Sequence, residues 1–63
     1  MYNRYREFAK AMGLTDYRVS KLSGVSRSCL SEWHQGRHQL SLGNRYRISV
    51  VLGTDVDFTK KLA

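Results

Sequence analysis

Twice in its first half the chain carries the same three-residue signal, Gly13-Leu14-Thr15 and Gly24-Val25-Ser26, and proline occurs nowhere. A glycine just past an amphipathic run takes the left-handed backbone that closes a helix, and the apolar residue folds back on the last turn. The hydroxyl then accepts an amide of the next helix. The signal calls for short helices separated by tight corners. Gly36 and Gly53 repeat the stop, and Ser41 repeats the start. Tyr5, Phe8, Ala9 and Met12 fall at helical spacing and predict a first helix over 3–12. Helices follow over 16–23 and over 27–34, where Leu30 and Trp33 share a face. A fourth covers 42–52, with Leu42, Tyr46, Ser49 and Leu52 as its inward stripe, Ile48 beside it, and Val50 and Val51 widening the apolar arc. Thr54 and Asp57 approximate a capping box for a short fifth helix over 55–61 that carries Val56, Phe58 and Leu62. No two-residue alternation marks a strand, so the expected fold is all-α with five helices.

A length of 63 residues allows one small domain, 1–63, and excludes a multidomain enzyme. The lone Cys29 cannot close an internal disulfide, and no second thiol completes a cysteine-pair metal site, so helix packing must hold the chain together. The longest unbroken apolar run is Val50 to Leu52, far short of a membrane span, and no secretory core follows Met1. A cytoplasmic setting, in a bacterial cell or a phage-infected host, is the expectation. Lys and Arg number 11 against five Asp and Glu, a net charge of +6. The excess lies ahead of residue 48, where only Glu7, Asp16 and Glu32 are acidic, so a polyanion is the expected partner.

Residues 16–35, DYRVSKLSGVSRSCLSEWHQ, have the layout of two short helices crossing at a tight turn: Ser20 as the small residue of closest approach, Gly24 in the turn, and Val19, Val25, Leu30 and Trp33 turned inward. The physical use of such a helix-turn-helix is to set its second helix into the major groove of DNA while the first lies across the backbone.

LTDYRVSKLSGVSRSCLSEWHQGR and SLGNRYRISVVLGTDVDF resemble the Cro/CI-type (Xre) helix-turn-helix family of phage repressors and bacterial regulators, a likeness that extends over roughly residues 5 to 58. The resemblance implies a compact five-helix DNA-binding domain, lambda-repressor-like, that binds double-stranded DNA as a homodimer on a pseudo-palindromic operator. It places Arg27, Ser28, Ser31 and Glu32 at base-reading positions. Arg27 can fork onto guanine O6 and N7, and Glu32 can accept from cytosine N4. It places Tyr17, Gln35, Arg37, His38, Ser41 and Asn44 at phosphate-anchoring positions, helped by backbone N–H groups at 15–17 and 42–44. The sequence departs from the pattern in several places. Asp16 stands where relatives often carry Gln and would repel phosphate, so it is expected to serve the positive end of its helix instead. Ala9 and His34 replace a common internal ion pair, and Leu40 replaces a common proline. Gly43 weakens the first turn of the fourth helix, and Arg45 holds an often apolar position, so this helix is expected to start late or to turn Arg45 outward.

Plainer readings cover most of the other reactive residues. Cys29, His34 and His38 lack a fourth ligand for zinc, and Cys29 fits a small-residue slot on the third helix. Trp33 is a core residue rather than a stacking platform for single strands, and Tyr5 and Tyr46 are core edges, whereas Tyr2 and Tyr17 are left open between solvent and phosphate. Arg4, Arg6 and Lys10 form a solvated face. Asp55 and Asp57 favour a helix N-terminus electrostatically, with no nucleophile or base beside them, so neither catalysis nor a cofactor is expected, and no small-molecule ligand. The expected function is sequence-specific transcriptional regulation, as a phage-type repressor or Cro-like protein controlled by concentration, dimerisation or a partner protein. Val50, Val51, Val56 and Phe58 are the candidates for the dimer surface. The alternatives are a protein-interaction module, such as an antitoxin or anti-repressor, and a single-strand RNA binder.

Overall fold

Four helices make up the chain in a computed structural model that describes residues 1–62: α1 (Tyr2–Ala11), α2 (Asp16–Ser23), α3 (Arg27–His34) and α4 (Leu42–Leu52). The hydroxyl starts act as read from the sequence. Thr15 Oγ1 accepts from the Arg18 amide, Ser26 Oγ from Cys29 and Ser41 Oγ from Asn44, each at 3.2 Å. At the stops, Gly13, Gly24, Gly36 and Gly53 all have positive φ, between 68° and 81°, where a Cβ would strain the backbone. Three residues, Gly24 to Ser26, join α2 to α3. Ser20 Oγ donates to the Val25 carbonyl at 2.6 Å and ties the corner to α2.

The core is drawn from every part of the chain: Tyr5 and Ala9 of α1, Val19 of α2, Val25 of the turn, Leu30 and Trp33 of α3, Leu40 of the loop before α4, Ile48 and Leu52 of α4, and Phe58. Tyr5, Trp33 and Phe58 form an aromatic triangle with centroid separations of 5.2, 6.0 and 5.9 Å. Each such pair adds about 0.5–1.5 kcal/mol beyond the area it buries. Met12 of the predicted α1 stripe stays 44% exposed and Phe8 is half-buried, so α1 docks mainly through Tyr5 and Ala9.

Two larger expectations fail. The first is the fifth helix, which does not form. After Gly53 the chain folds back in an irregular loop in which Thr54 bridges Lys61, the Asp55 amide donates to the Lys60 carbonyl at 3.2 Å, and the Leu62 amide donates to Gly53 at 2.8 Å. The Asp55 carboxylate accepts from the amides of Thr59 and Lys60 and from the Thr59 hydroxyl, the side-chain competition with helical bonds that makes Asp a poor helix interior residue. Those bonds, the Thr59 hydroxyl first, hold the Asp55 carboxyl below its usual pKa. At the tip, Phe58 adopts φ 54° and is fully buried. The left-handed backbone costs about 1–2 kcal/mol, and burying the ring returns about 1.5–3 kcal/mol. Phe58 is thus a core residue and not part of a dimer surface; Val51 and Val56 are half-buried, and only Val50 is freely exposed.

The second failure is the inward stripe of α4. The helix starts at Leu42 and not late, yet Leu42 and Tyr46 are 62% and 60% exposed, while the inner positions are Arg45, Ile48, Ser49 and Leu52. Arg45 turns in, with its side chain only 22% exposed and Nη1 3.1 Å from Asp57. The long arginine stem packs like an apolar side chain as its head reaches a carboxylate at the edge, which frees Leu42 and Tyr46 to face out. Ser49 Oγ, also buried, donates to the Tyr46 carbonyl at 2.7 Å. No helix among the described residues is long and apolar enough to cross a membrane.

Candidate nucleic-acid interface

The outward side of α3 is polar because Leu30 and Trp33 take its inward side. Arg27, Ser28 and Ser31 are exposed, and with Asp16 and His34 they line one open concavity. Glu32 is set apart. It lies half-buried on the flank that faces the loop after α3, in a second concavity with Cys29, His38, Gln39, Leu40, Ser41 and Asn44. There its carboxylate is 3.2 Å from His38 Nε2. The residues expected to read bases therefore divide into an open trio and one acid already engaged by a residue expected to anchor phosphate.

The other anchoring candidates surround this face. Gln35 Nε2 donates to Ser31 Oγ at 3.3 Å, and Arg37 is exposed, its amide donating to the Glu32 carbonyl at 2.9 Å. Tyr17 is 47% exposed, with Arg27 Cζ 5.3 Å and Lys21 Nζ 5.2 Å from its ring centre. Ser41 is exposed and Asn44 half-buried at the start of α4. Thr15 takes the Arg18 amide, leaving the Asp16 and Tyr17 amides without an acceptor among the described residues at the positive end of α2. The Leu42 and Gly43 amides are open in the same way, but the Asn44 amide is taken by Ser41, so it drops out of the expected anion-binding set.

Asp16 is held away from this role. It accepts from the hydroxyls of Tyr2 and Tyr5 at 2.7 and 2.6 Å, with Arg6 Nη1 at 3.5 Å. Burial first, then the bond to Asp16, pushes the Tyr2 hydroxyl up to about 12, and Tyr5 is raised further for the same reasons. Arg6 also donates to the Leu14 carbonyl at 3.1 Å, so it belongs to this joint and not to a solvated face. Tyr2 in turn stacks on His34, with centroids 4.3 Å apart and planes 11° from parallel. The joint clamps α1 against the start of α2 and the end of α3. Sequence reading missed it. Its only trace was the i, i+3, i+4 grouping of Tyr2, Tyr5 and Arg6, and nothing in that spacing names Asp16.

Among the described residues, no carboxylate lies within ion-pair distance of Arg27, Arg37, Arg18 or Lys21, whereas Arg6 and Arg45 are paired. The paired arginines sit at internal joints; among the described residues Arg18, Lys21 and Arg27 on α2 and α3 and Arg37 just after them are unpaired, as are Arg4, Lys10, Arg47, Lys60 and Lys61 elsewhere on the surface. No three His, Cys, Asp or Glu side chains among the described residues are grouped to hold a metal ion. No family model, curated protein or solved structure matches the chain.

Proposed function

We propose that the chain is a sequence-specific double-stranded DNA-binding regulator of the Cro/CI-type helix-turn-helix kind, with α3 as its recognition helix. The observation that carries this reading is the open polar side of α3, with Arg27, Ser28 and Ser31 exposed beside a set of unneutralised cations. An eight-residue helix anchored by Leu30 and Trp33 is a rigid rod, and a rod about 10–12 Å across fits the ~12 Å major groove. Arg27 at its first turn is the foremost base reader. Arg37, Gln35, Tyr17 and Ser41, with the open amides of Asp16, Tyr17, Leu42 and Gly43, contribute sequence-independent phosphate contacts. The net charge of +6 favours encounter with the duplex. The chain acts as a homodimer on a two-fold symmetric operator and represses by occupying it. Selection of bound sequences from a random duplex pool tests this directly. A recovered consensus with two-fold symmetry and half-sites about one turn apart supports the reading, and a pool that stays random rejects it in favour of a protein-binding role.

A further inference from the structure

Arg27 stands at the first turn of α3, exposed and without a carboxylate partner among the described residues, yet it is not left to wander. Its guanidinium carbon lies 5.3 Å from the centre of the Tyr17 ring, one helix away. That ring is itself flanked by Lys21, four residues further along α2, with Nζ at 5.2 Å. Both separations fall inside the ~6 Å reach of cation–π attraction. An acid holding Arg27 would occupy the N–H donors that a base edge needs and cancel the charge that a phosphate needs. A ring engages the guanidinium without accepting its N–H bonds, so the fork stays available for a bidentate contact.

We infer that Tyr17 is a positioning residue for Arg27, setting the guanidinium for base readout through its ring, in addition to any contact its hydroxyl makes to phosphate. The inference rests on the proposed DNA-binding function but adds a residue that sets specificity from the neighbouring helix. The two roles of Tyr17 separate chemically. A phosphate contact resides in the hydroxyl and is blind to sequence, whereas positioning resides in the ring and appears only at the base pair that Arg27 reads.

The test uses the full chain and compares Tyr17→Phe and Tyr17→Leu, alone and combined with Arg27→Ala. The readout is the affinity ratio between the selected duplex and the same duplex substituted at the pair where Arg27→Ala loses selectivity. Tyr17→Leu lowers this ratio about two- to fivefold, the worth of an exposed cation–π contact, and does not lower it further in the Arg27→Ala background. Tyr17→Phe keeps the ring and restores the ratio, whatever it does to affinity for all duplexes alike. Equal ratios for Tyr17→Leu and wild type, or the same loss with and without Arg27, overturn the inference. In the free protein, side-chain NMR provides an arm independent of DNA: the Arg27 δ-protons are shifted upfield in wild type and Tyr17→Phe and move to ordinary positions in Tyr17→Leu. Upfield shifts in a protein that selects no duplex would reject the DNA-binding function and leave the stack intact. Shifts at ordinary positions in a protein that does select DNA would reject the stack alone.

Discussion

Helices α3 and α4 lean on the same core and present opposite chemistry to solvent. Inward, α3 contributes Leu30 and Trp33, and α4 contributes Ile48 and Leu52. Outward, α3 carries Arg27, Ser28, Ser31 and His34, whereas α4 carries Leu42, Tyr46 and Val50 at intervals of four residues, each 60% exposed or more. The cause lies one layer down. In α3 the inner positions are apolar and the outer ones polar, so hydrophobicity and burial coincide. In α4 the inner positions include Arg45, whose Nη1 reaches Asp57 while its Nε is buried without a partner among the described residues, and Ser49, which donates to the Tyr46 carbonyl, so apolar residues are displaced to the outside. An exposed polar helix face and an exposed apolar one can thus arise from the same packing, and only the first is suited to meet a polyanion.

The largest expected effect contrasts the inner and outer sides of the pair. Trp33→Ala removes the side chain on which Tyr2, Tyr5 and Phe58 converge and should cost about 3–5 kcal/mol in denaturant unfolding. Arg27→Ala should leave unfolding almost unchanged but cost about 1–3 kcal/mol in binding the selected duplex, with relaxed preference at one operator position. Equal losses on selected and random duplexes would move Arg27 from the base-reading to the phosphate set.

The joint beneath α3 supplies a pH test. A folded-state pKa raised above the unfolded value of 10.0 gives stability that is complete below that value and lost as pH climbs through the folded one. Tyr2, at about 12, and Tyr5, higher still, should therefore weaken the fold in strong alkali, from pH 10 upward. Ultraviolet titration of phenolate formation should show late titration of these two, and Asp16→Asn should bring Tyr2 back towards its ordinary value. Normal titration of all four tyrosines in the wild type would contradict the joint.

Smaller effects complete the contrast. Arg37→Ala should weaken every duplex alike and reduce the slope of log affinity against log salt by about one unit. An unchanged slope would remove it from the phosphate set. Val50→Lys on the outer face of α4 should change stability by no more than about 0.5 kcal/mol, since its side chain is 62% exposed. A large loss would mean that this face is covered in solution.

Where a residue's role is local, its signal was legible in the sequence. Thr15, Ser26 and Ser41 cap the helices they precede, Gly24 and Gly53 close those they follow, and α2, α3 and α4 have the predicted bounds. Leu30 and Trp33 were readable because two apolar residues on a short polar helix have only one way to pack. What stayed hidden depends on partners distant in sequence. Arg45 can turn inward only because Asp57 waits there, Phe58 can hold a left-handed backbone only because the aromatic pair it joins is already placed, and Asp16 is diverted from solvent by two tyrosine hydroxyls on another helix. In the candidate site, the open trio followed from helical spacing, but the engagement of Glu32 by His38 depends on how the loop after α3 returns.

The most direct test of the account is the map of backbone amide shifts when a selected duplex is added to the labelled protein. The account predicts perturbations concentrated at 15–17, 27–37 and 41–44, with Val50 and the loop from Thr54 to Leu62 left silent. Perturbation confined to the outer face of α4 at Tyr46 and Val50, with α3 unmoved, would contradict it.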